Sequence, residues 1–326
     1  MKPIEKKSER KRAFTIIELL TVMSIIIILI GLLVPALSRV RRYAMQVKQK
    51  AQFHSIGVAL DLYNAEFEGY PPSDEWDSAD PQDSYCGAMK LAEAMVGQDL
   101  LGFHPDSTFR NDLTSDGTNE LYGTASFNPP LTNKMRRRGP YLELGNANAY
   151  RIKNIYGVGN VAPFTGDRYV LCDIYSNVTI VRDSTDLTDT LTGKAGMPIL
   201  YYRADTSKTT HNINDKDDRQ NIYDYKDNDE LVQLGMPFAS GYEHLMDSSG
   251  GGTRHDPPDN TSDGLIFYVK MDSAGAIEDP RTWNMKVNIP SPTPVYRPQR
   301  ADSYILLSAG YDGEYGTGDD VFNFDK

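Results

Sequence analysis

Four carboxylates crowd the end of the chain: Asp312, Glu314, Asp319 and Asp320 lie in a segment punctuated by Gly310, Gly313, Gly316 and Gly318. Glycine permits tight reversals that bring carboxylates and backbone carbonyls around one ion, and hard oxygen donors in a flexible loop suit Ca²⁺ better than Mg²⁺ or zinc. The spacing is not that of an EF-hand, whose closing Glu is missing. A solvated acidic turn is the plain alternative. A fifth acid stands apart: Glu18 opens a run of twenty positions without a charged side chain, ending at Arg39. An ionised carboxylate at the edge of such a run is costly without a partner, so Glu18 calls for a cation.

Catalytic spacings are missing elsewhere. His54, His104, His211, His244 and His255 are scattered, and the chain contains no His-Glu-x-x-His, Gly-x-Ser-x-Gly or Gly-x-x-x-x-Gly-Lys-Ser/Thr. Gly157 and Gly159 form a Gly-x-Gly without its third glycine. A membrane-tethered hydrolase would need a converged acid pair, and no spacing shows one, so the chain is not expected to be an enzyme. Asp215, Asp217 and Asp218, with Asp227, Asp229 and Glu230, read as a solvated loop in preference to a second calcium site. Two cysteines, Cys86 and Cys172, exclude a thiolate zinc cluster and a disulfide-dense scaffold, and leave room for one disulfide or for two buried thiols.

The 326 residues are 40% hydrophobic and 24% charged, enough to bury a real core. Charge is divided unevenly. Residues 1–50 hold eleven Lys and Arg against three acids, which leaves 23 bases and 42 acids beyond, a net −19. A body that acidic repels nucleic acid and anionic lipid surfaces, so neither is an expected partner, whereas cations are attracted.

The basic start is explained by the apolar run beside it. From Leu19 to Val34 the chain is almost wholly apolar, and about 20 residues at 1.5 Å rise cross the roughly 30 Å hydrocarbon core. Lys2, Lys6, Lys7, Arg10, Lys11 and Arg12 ahead of it favour a cytoplasmic N-terminus, against which Arg39, Arg41 and Arg42 weigh from the other side. Beyond the span, Phe53, Ile56, Leu60, Tyr63 and Phe67 recur at steps of 3, 4, 3 and 4, with Gln52, Asp61, Asn64 and Glu68 between them. That is one apolar stripe with a polar remainder. Gly69, Pro71 and Pro72 are stop signals, so the spacing predicts one helix over 14–68, about 80 Å long, half in lipid and half packed on a domain.

From Tyr70 onward the chain is rich in Gly, Pro, Asp, Asn and Tyr. Apolar or alternating runs at 168–174, 178–181, 198–202, 264–269 and 303–307 read as strands. A short second helix is expected over 91–96, and 212–230 and 247–263 read as loops too long for a minimal domain, hence insertions.

The residues Lys11-Arg12-Ala13-Phe14-Thr15-Ile16-Ile17-Glu18-Leu19-Leu20 resemble the leader and N-terminal motif of type IV pilins and type II secretion pseudopilins. By that resemblance a prepilin peptidase cuts on the cytoplasmic side between Ala13 and Phe14, where the family usually has Gly before the cut, and methylates the new amine. Glu18 becomes the fifth mature residue, which pairs with the N-terminus of a neighbouring subunit. Pro35 falls at mature position 22, where the family has a helix-loosening proline. Ser308-Ala309-Gly310-Tyr311-Asp312-Gly313 resembles the opening of the C-terminal calcium loop of major pseudopilins. The resemblance makes Asp312 and Asp319 the first ligands, Asp320 the next and the Ala309 carbonyl a contributor. It covers 10–72 and 303–324, and the middle of the chain lies outside it.

The implied fold is α+β and pilin-like, a long N-terminal helix packed on an antiparallel sheet domain with long insertions. The parts are a leader over 1–13, a transmembrane and filament-core helix over 14–38, its amphipathic half over 39–68, and an outer domain over 69–326 with its calcium loop at 308–320. The implied function is that of a filament subunit in type II secretion, held first in the inner membrane with its outer domain in the periplasm. Its partners are itself, other pseudopilins, the peptidase and an inner-membrane assembly platform. A surface pilin or minor tip subunit acting as an adhesin is the alternative, and exposed aromatics among Tyr201, Tyr202, Tyr223 and Tyr225 would favour it.

Overall fold

The computed structural model describes residues 16–74, 84–124, 127–157, 161–181, 192–208, 220–237, 244, 246 and 298–324. The processing pair Ala13 and Phe14, the run 215–218, His211, His255, the expected strand 264–269 and the expected loop 247–263 lie outside them. The chain divides into two compact units, Met1–Met45 and Gln46–Lys326.

Helix α1 (Ile16–Phe67) is continuous over 52 residues. An apolar segment of this length forms a helix because every backbone donor then finds its acceptor within the segment. Three of its hydroxyls follow the same logic. Thr21 donates to the carbonyl of Ile17 at 3.0 Å, Ser24 to Leu20 at 2.8 Å and Ser38 to Val34 at 3.2 Å. The helix stops where Glu68 takes left-handed backbone, φ +56°, just ahead of Gly69.

Within Gln46–Lys326 the last turns of α1 bury Phe53, Ile56, Leu60 and Tyr63, as the stripe predicts. Tyr63 meets Phe103 edge-on at 5.2 Å between ring centres. The polar remainder is not all outward. Gln49 and Gln52 are buried as well: the Gln52 amide donates to the Cys172 carbonyl at 2.9 Å, and the Gln49 amide oxygen accepts the Ile174 N–H at 3.0 Å. Positions 49, 52, 56, 59 and 63 share one helix face, so these glutamines sit on the packed side and replace the strand partner that residues 172–174 lack there.

Helix α2 (Gly87–Val96) is longer than the expected 91–96 and buried on every side. It packs so tightly that a Cβ at Gly87 would stand 2.3 Å from the Tyr201 carbonyl. Short helices α3 (Leu131–Arg136) and α4 (Leu144–Ala147), strand β1 (Ala149–Arg151) and helix α5 (Ile152–Tyr156) come next. Four expected strands are present as β2 (Tyr169–Leu171), β3 (Val178–Val181), β5 (Leu200–Arg203) and β6 (Tyr304–Ser308), while β4 (Thr192–Ala195) and β7 (Val321–Phe322) were not anticipated.

They form three small antiparallel sheets, β1-β2, β3-β4 and β5-β6-β7. Between β2 and β5 the backbone pairs only at the bridge Cys172 to Pro198. The Asp173 N–H donates to the Met197 carbonyl at 2.8 Å on one side of that bridge and the Ile199 N–H to the Leu171 carbonyl at 2.7 Å on the other. The central strand β6 is buried throughout. Its register sets Leu200 opposite Leu307, and Ser308 opposite Val321.

One expectation is corrected. Residues 220–230 are not a solvated loop: they hold a 3-10 turn at Tyr225–Asp227 and the start of helix α6 (Asp229–Gln233), with Asp227 and Asn228 buried. Asn228 accepts the Ala88 N–H at 2.9 Å and donates to the Tyr201 carbonyl at 2.8 Å, joining α2 to β5, and Asp227 accepts the Ser73 hydroxyl. Local charge reads as solvated until a folded scaffold supplies the donors that make burial tolerable.

Candidate functional site

Two places carry chemistry, one in each unit, and each is described by itself.

In the first unit Glu18 lies in the first turn of α1, where the partial positive charge of the helix start favours a carboxylate. Ile16, Ile17, Leu19, Leu20 and the apolar residues beyond them are exposed. This helix is long and apolar enough, by length and composition, to cross a membrane. Pro35 lies inside it without interrupting it. Its missing N–H leaves the carbonyl of Gly31 without the usual partner one turn back. Gly31 has nothing within 4 Å of where a Cβ would stand.

In the second unit β6 runs through Ser308 and Ala309, both buried, into the glycine-punctuated loop. Gly310, Gly313 and Gly316 hold φ of +67°, +76° and +99°, a region closed to most side chains, which is why glycines recur there. At Gly310 a Cβ would stand 2.2 Å from the Asp319 carbonyl. The two ends of the loop therefore close on each other at a point only glycine allows.

That closure brings Asp312 and Asp319 together. Asp319 accepts the N–H groups of Tyr311 at 2.7 Å and Asp312 at 3.0 Å, and the Thr317 hydroxyl at 2.6 Å. Burial would raise its pKa, but donors from Thr317, Asp312 and the backbone outweigh it and hold Asp319 below the usual carboxylate range. Asp312 takes the opposite direction: burial first, and then the adjacent charge of Asp319, push it up to about 7. The two carboxyl groups lie near enough for the charge of Asp319 to help raise Asp312. Asp320 is directed elsewhere, accepting the Gly316 N–H at 2.9 Å. Glu314 donates its backbone N–H to Asp312. Among the described residues no group of three or more His, Cys, Asp or Glu side chains is placed to hold a metal ion. The carboxylates brought together are thus two, and a cation here would draw its other oxygens from backbone carbonyls or water.

Behind the loop stand groups that the sequence did not single out. Asp173, buried, accepts the N–H groups of Tyr175 and Met197, each at 3.1 Å, and the Ser308 hydroxyl at 2.8 Å. His244, also buried, faces the Gly235 carbonyl through Nε2 at 3.1 Å and accepts the Tyr315 N–H at Nδ1. No spacing signal could have found either, since Met197 and Ser308 lie 24 and 135 residues from Asp173, and Tyr315 lies 71 from His244. Cys86 and Cys172 are both buried, and no disulfide joins them. Tyr201, Tyr202, Tyr223 and Tyr225 are buried too, so these four are not the exposed aromatics that would favour an adhesive tip subunit.

In comparisons with models of known protein families, with curated proteins and with solved structures, nothing matches the chain.

Proposed function

We propose that the chain is a structural subunit of a pilus-like filament, of the kind that supports type II secretion, and that its function is assembly. The observation that carries the reading is Glu18 in the first turn of an uninterrupted 52-residue helix whose apolar side chains from Ile16 to Val40 are exposed. A helix with that surface is stable only among lipid tails or like helices. A carboxylate at the start of such a surface is a charge that a neighbour's cation can meet, and the motif at 11–20 names the amine of a neighbouring mature subunit as that cation. The leader over 1–13, removal of the leader by a prepilin peptidase, an inner-membrane start with the outer domain in the periplasm, and contacts with other pseudopilins and an assembly platform belong to the same reading.

The C-terminal loop takes Ca²⁺ in this proposal. The fit rests on the carboxyl groups of Asp312 and Asp319, hard oxygens brought to one place by the loop, where Asp319 accepts the Asp312 N–H at 3.0 Å. Asp312 and Asp319 would hold the ion, with the Ala309 carbonyl and water as further donors, while Asp320 stays on the Gly316 N–H. When bound, the ion supplies the positive charge that allows both carboxylates to ionise. The loop itself supplies the closure at Gly310 and the donors on Asp319.

The test is Glu18→Ala in the full chain. Expression, cleavage before Phe14 (read by intact mass) and membrane insertion stay at wild-type level, and filaments are lost. Wild-type filament yield from Glu18→Ala removes the assembly role, and a mass with Met1 retained removes the leader.

A further inference from the structure

The segment 172–177 is held from two sides by different parts of the second unit. From one side α1 grips it: Gln52 donates to the Cys172 carbonyl and Gln49 accepts the Ile174 N–H, at 2.9 and 3.0 Å. The residue between those two contacts is Asp173. Its carboxyl group leaves on the other side and accepts the Ser308 hydroxyl at 2.8 Å, and the Ser308 oxygen accepts the Gly310 N–H at 3.2 Å. Gly310 is the point where the C-terminal loop closes on Asp319. A parallel tie runs from the Asn177 amide to the Tyr311 carbonyl at 3.2 Å.

Little slack exists along this line. Gln49, Gln52, Asp173, Ser308 and Gly310 are all buried. A Cβ at Gly196 would stand 1.9 Å from an oxygen of Asp173, so the backbone is pressed against that carboxyl group. Buried polar groups in contact lose a full hydrogen bond when one of them moves, because water is not there to replace it. Displacement of α1 therefore strains Asp173, and displacement of Asp173 strains the loop.

We propose that Asp173 is a positioning residue that couples the docking of α1 to the shape of the 309–320 loop, so that loosening either one loosens the other. Such coupling is reciprocal by thermodynamic necessity. It is carried by named hydrogen bonds and does not depend on what the loop binds. Its use, that the outer loop senses how α1 is held, rests on the filament reading. Amide exchange in the unassembled protein keeps the two separable.

The experiment is amide hydrogen exchange on the full chain in detergent micelles. Gln52→Met keeps the side-chain bulk and cuts the bond to Cys172. Exchange at Gly310, Tyr311 and Asp312 then rises about fivefold or more, at a distance from the change. Ser308→Ala raises exchange over Ile56 to Leu60 in α1. In the Ser308→Ala background, Gln52→Met has a clearly smaller effect on the loop, the remainder passing through the Asn177 tie to Tyr311. Gln49→Met, which cuts only the bond to Ile174, repeats the first result. Loop rates within about twofold of wild type in both glutamine variants overturn the coupling. So does a Gln52→Met effect that persists unchanged without the Ser308 hydroxyl, or a rise shared equally by amides off this line such as Val170.

Discussion

His244 Nδ1 accepts the backbone N–H of Tyr315 at 3.2 Å, across 71 residues of chain. With Nε2 facing the Gly235 carbonyl, the ring is held in its neutral form, and burial pushes its pKa down to about 3. An unfolded His titrates near 6.5. Between those values the unfolded chain binds more protons than the folded one, so this contribution is full above about 6.5 and is lost as pH falls toward 3. His244→Asn keeps an acceptor for Tyr315 and removes the titration. Thermal unfolding from pH 7 to pH 4 should fall less steeply in His244→Asn than in wild type. Equal slopes would show that the ring is not held neutral.

Asp227 gives the opposite sign. Burial, opposed by the Ser73 hydroxyl, pushes its pKa up to about 8, with Asp224 and Asp74 raising it and Lys90 lowering it. The folded state then keeps a proton that the unfolded state releases near pH 4. Stability from this group is present below that value and declines as pH rises through 8. Asp227→Asn should flatten the decline in denaturant midpoint between pH 5 and pH 8. A decline as steep as that of wild type would place the titration elsewhere.

Leu60 and Leu62 are two positions apart on α1 and should behave differently. Leu60 is fully buried and Leu62 is 53% exposed. Leu60→Ala should cost about 2–5 kcal/mol in denaturant unfolding of the second unit. Leu62→Ala should stay within about 0.5 kcal/mol. Similar costs at both positions would mean that the helix presents a different face to its domain.

Calcium should raise the melting temperature of the full chain relative to chelator. Free ion at about a hundred times Kd contributes about 2.7 kcal/mol, a shift of a few degrees in a domain of this size. Asp312→Ala should abolish the difference. A response that survives in Asp312→Ala, or no response in wild type, leaves the loop as an acidic turn.

The long helix was legible because its signal is one of length, twenty uncharged positions and then a stripe at steps of three and four. The strands were legible as apolar runs, but their grouping was not. Nothing local announces that residues 172–174 take partners from helix glutamines. Gln52 read as one of the polar residues between the stripe positions, and Asp227 as solvated, for the same reason. A polar residue is placed inside only by partners far along the chain, and a single sequence does not display those partners. Asp312 and Asp319 were singled out only through the resemblance of 308–313 to a calcium loop, and the closure at Gly310 that sets them side by side is a product of the fold.

Thr21, Ser24 and Ser38 each return their proton to a carbonyl of their own helix. From outside, the apolar half of α1 is thus close to a hydrocarbon rod. Moving such a rod from lipid into a sheath of identical rods exchanges one oil for another, with almost no net solvation change to pull it either way. Direction must then come from outside that stretch, through work done on it or through a charge that finds its mate. On the filament reading proposed above, storing such a subunit, threading it out and drawing it back would all run along a nearly level path.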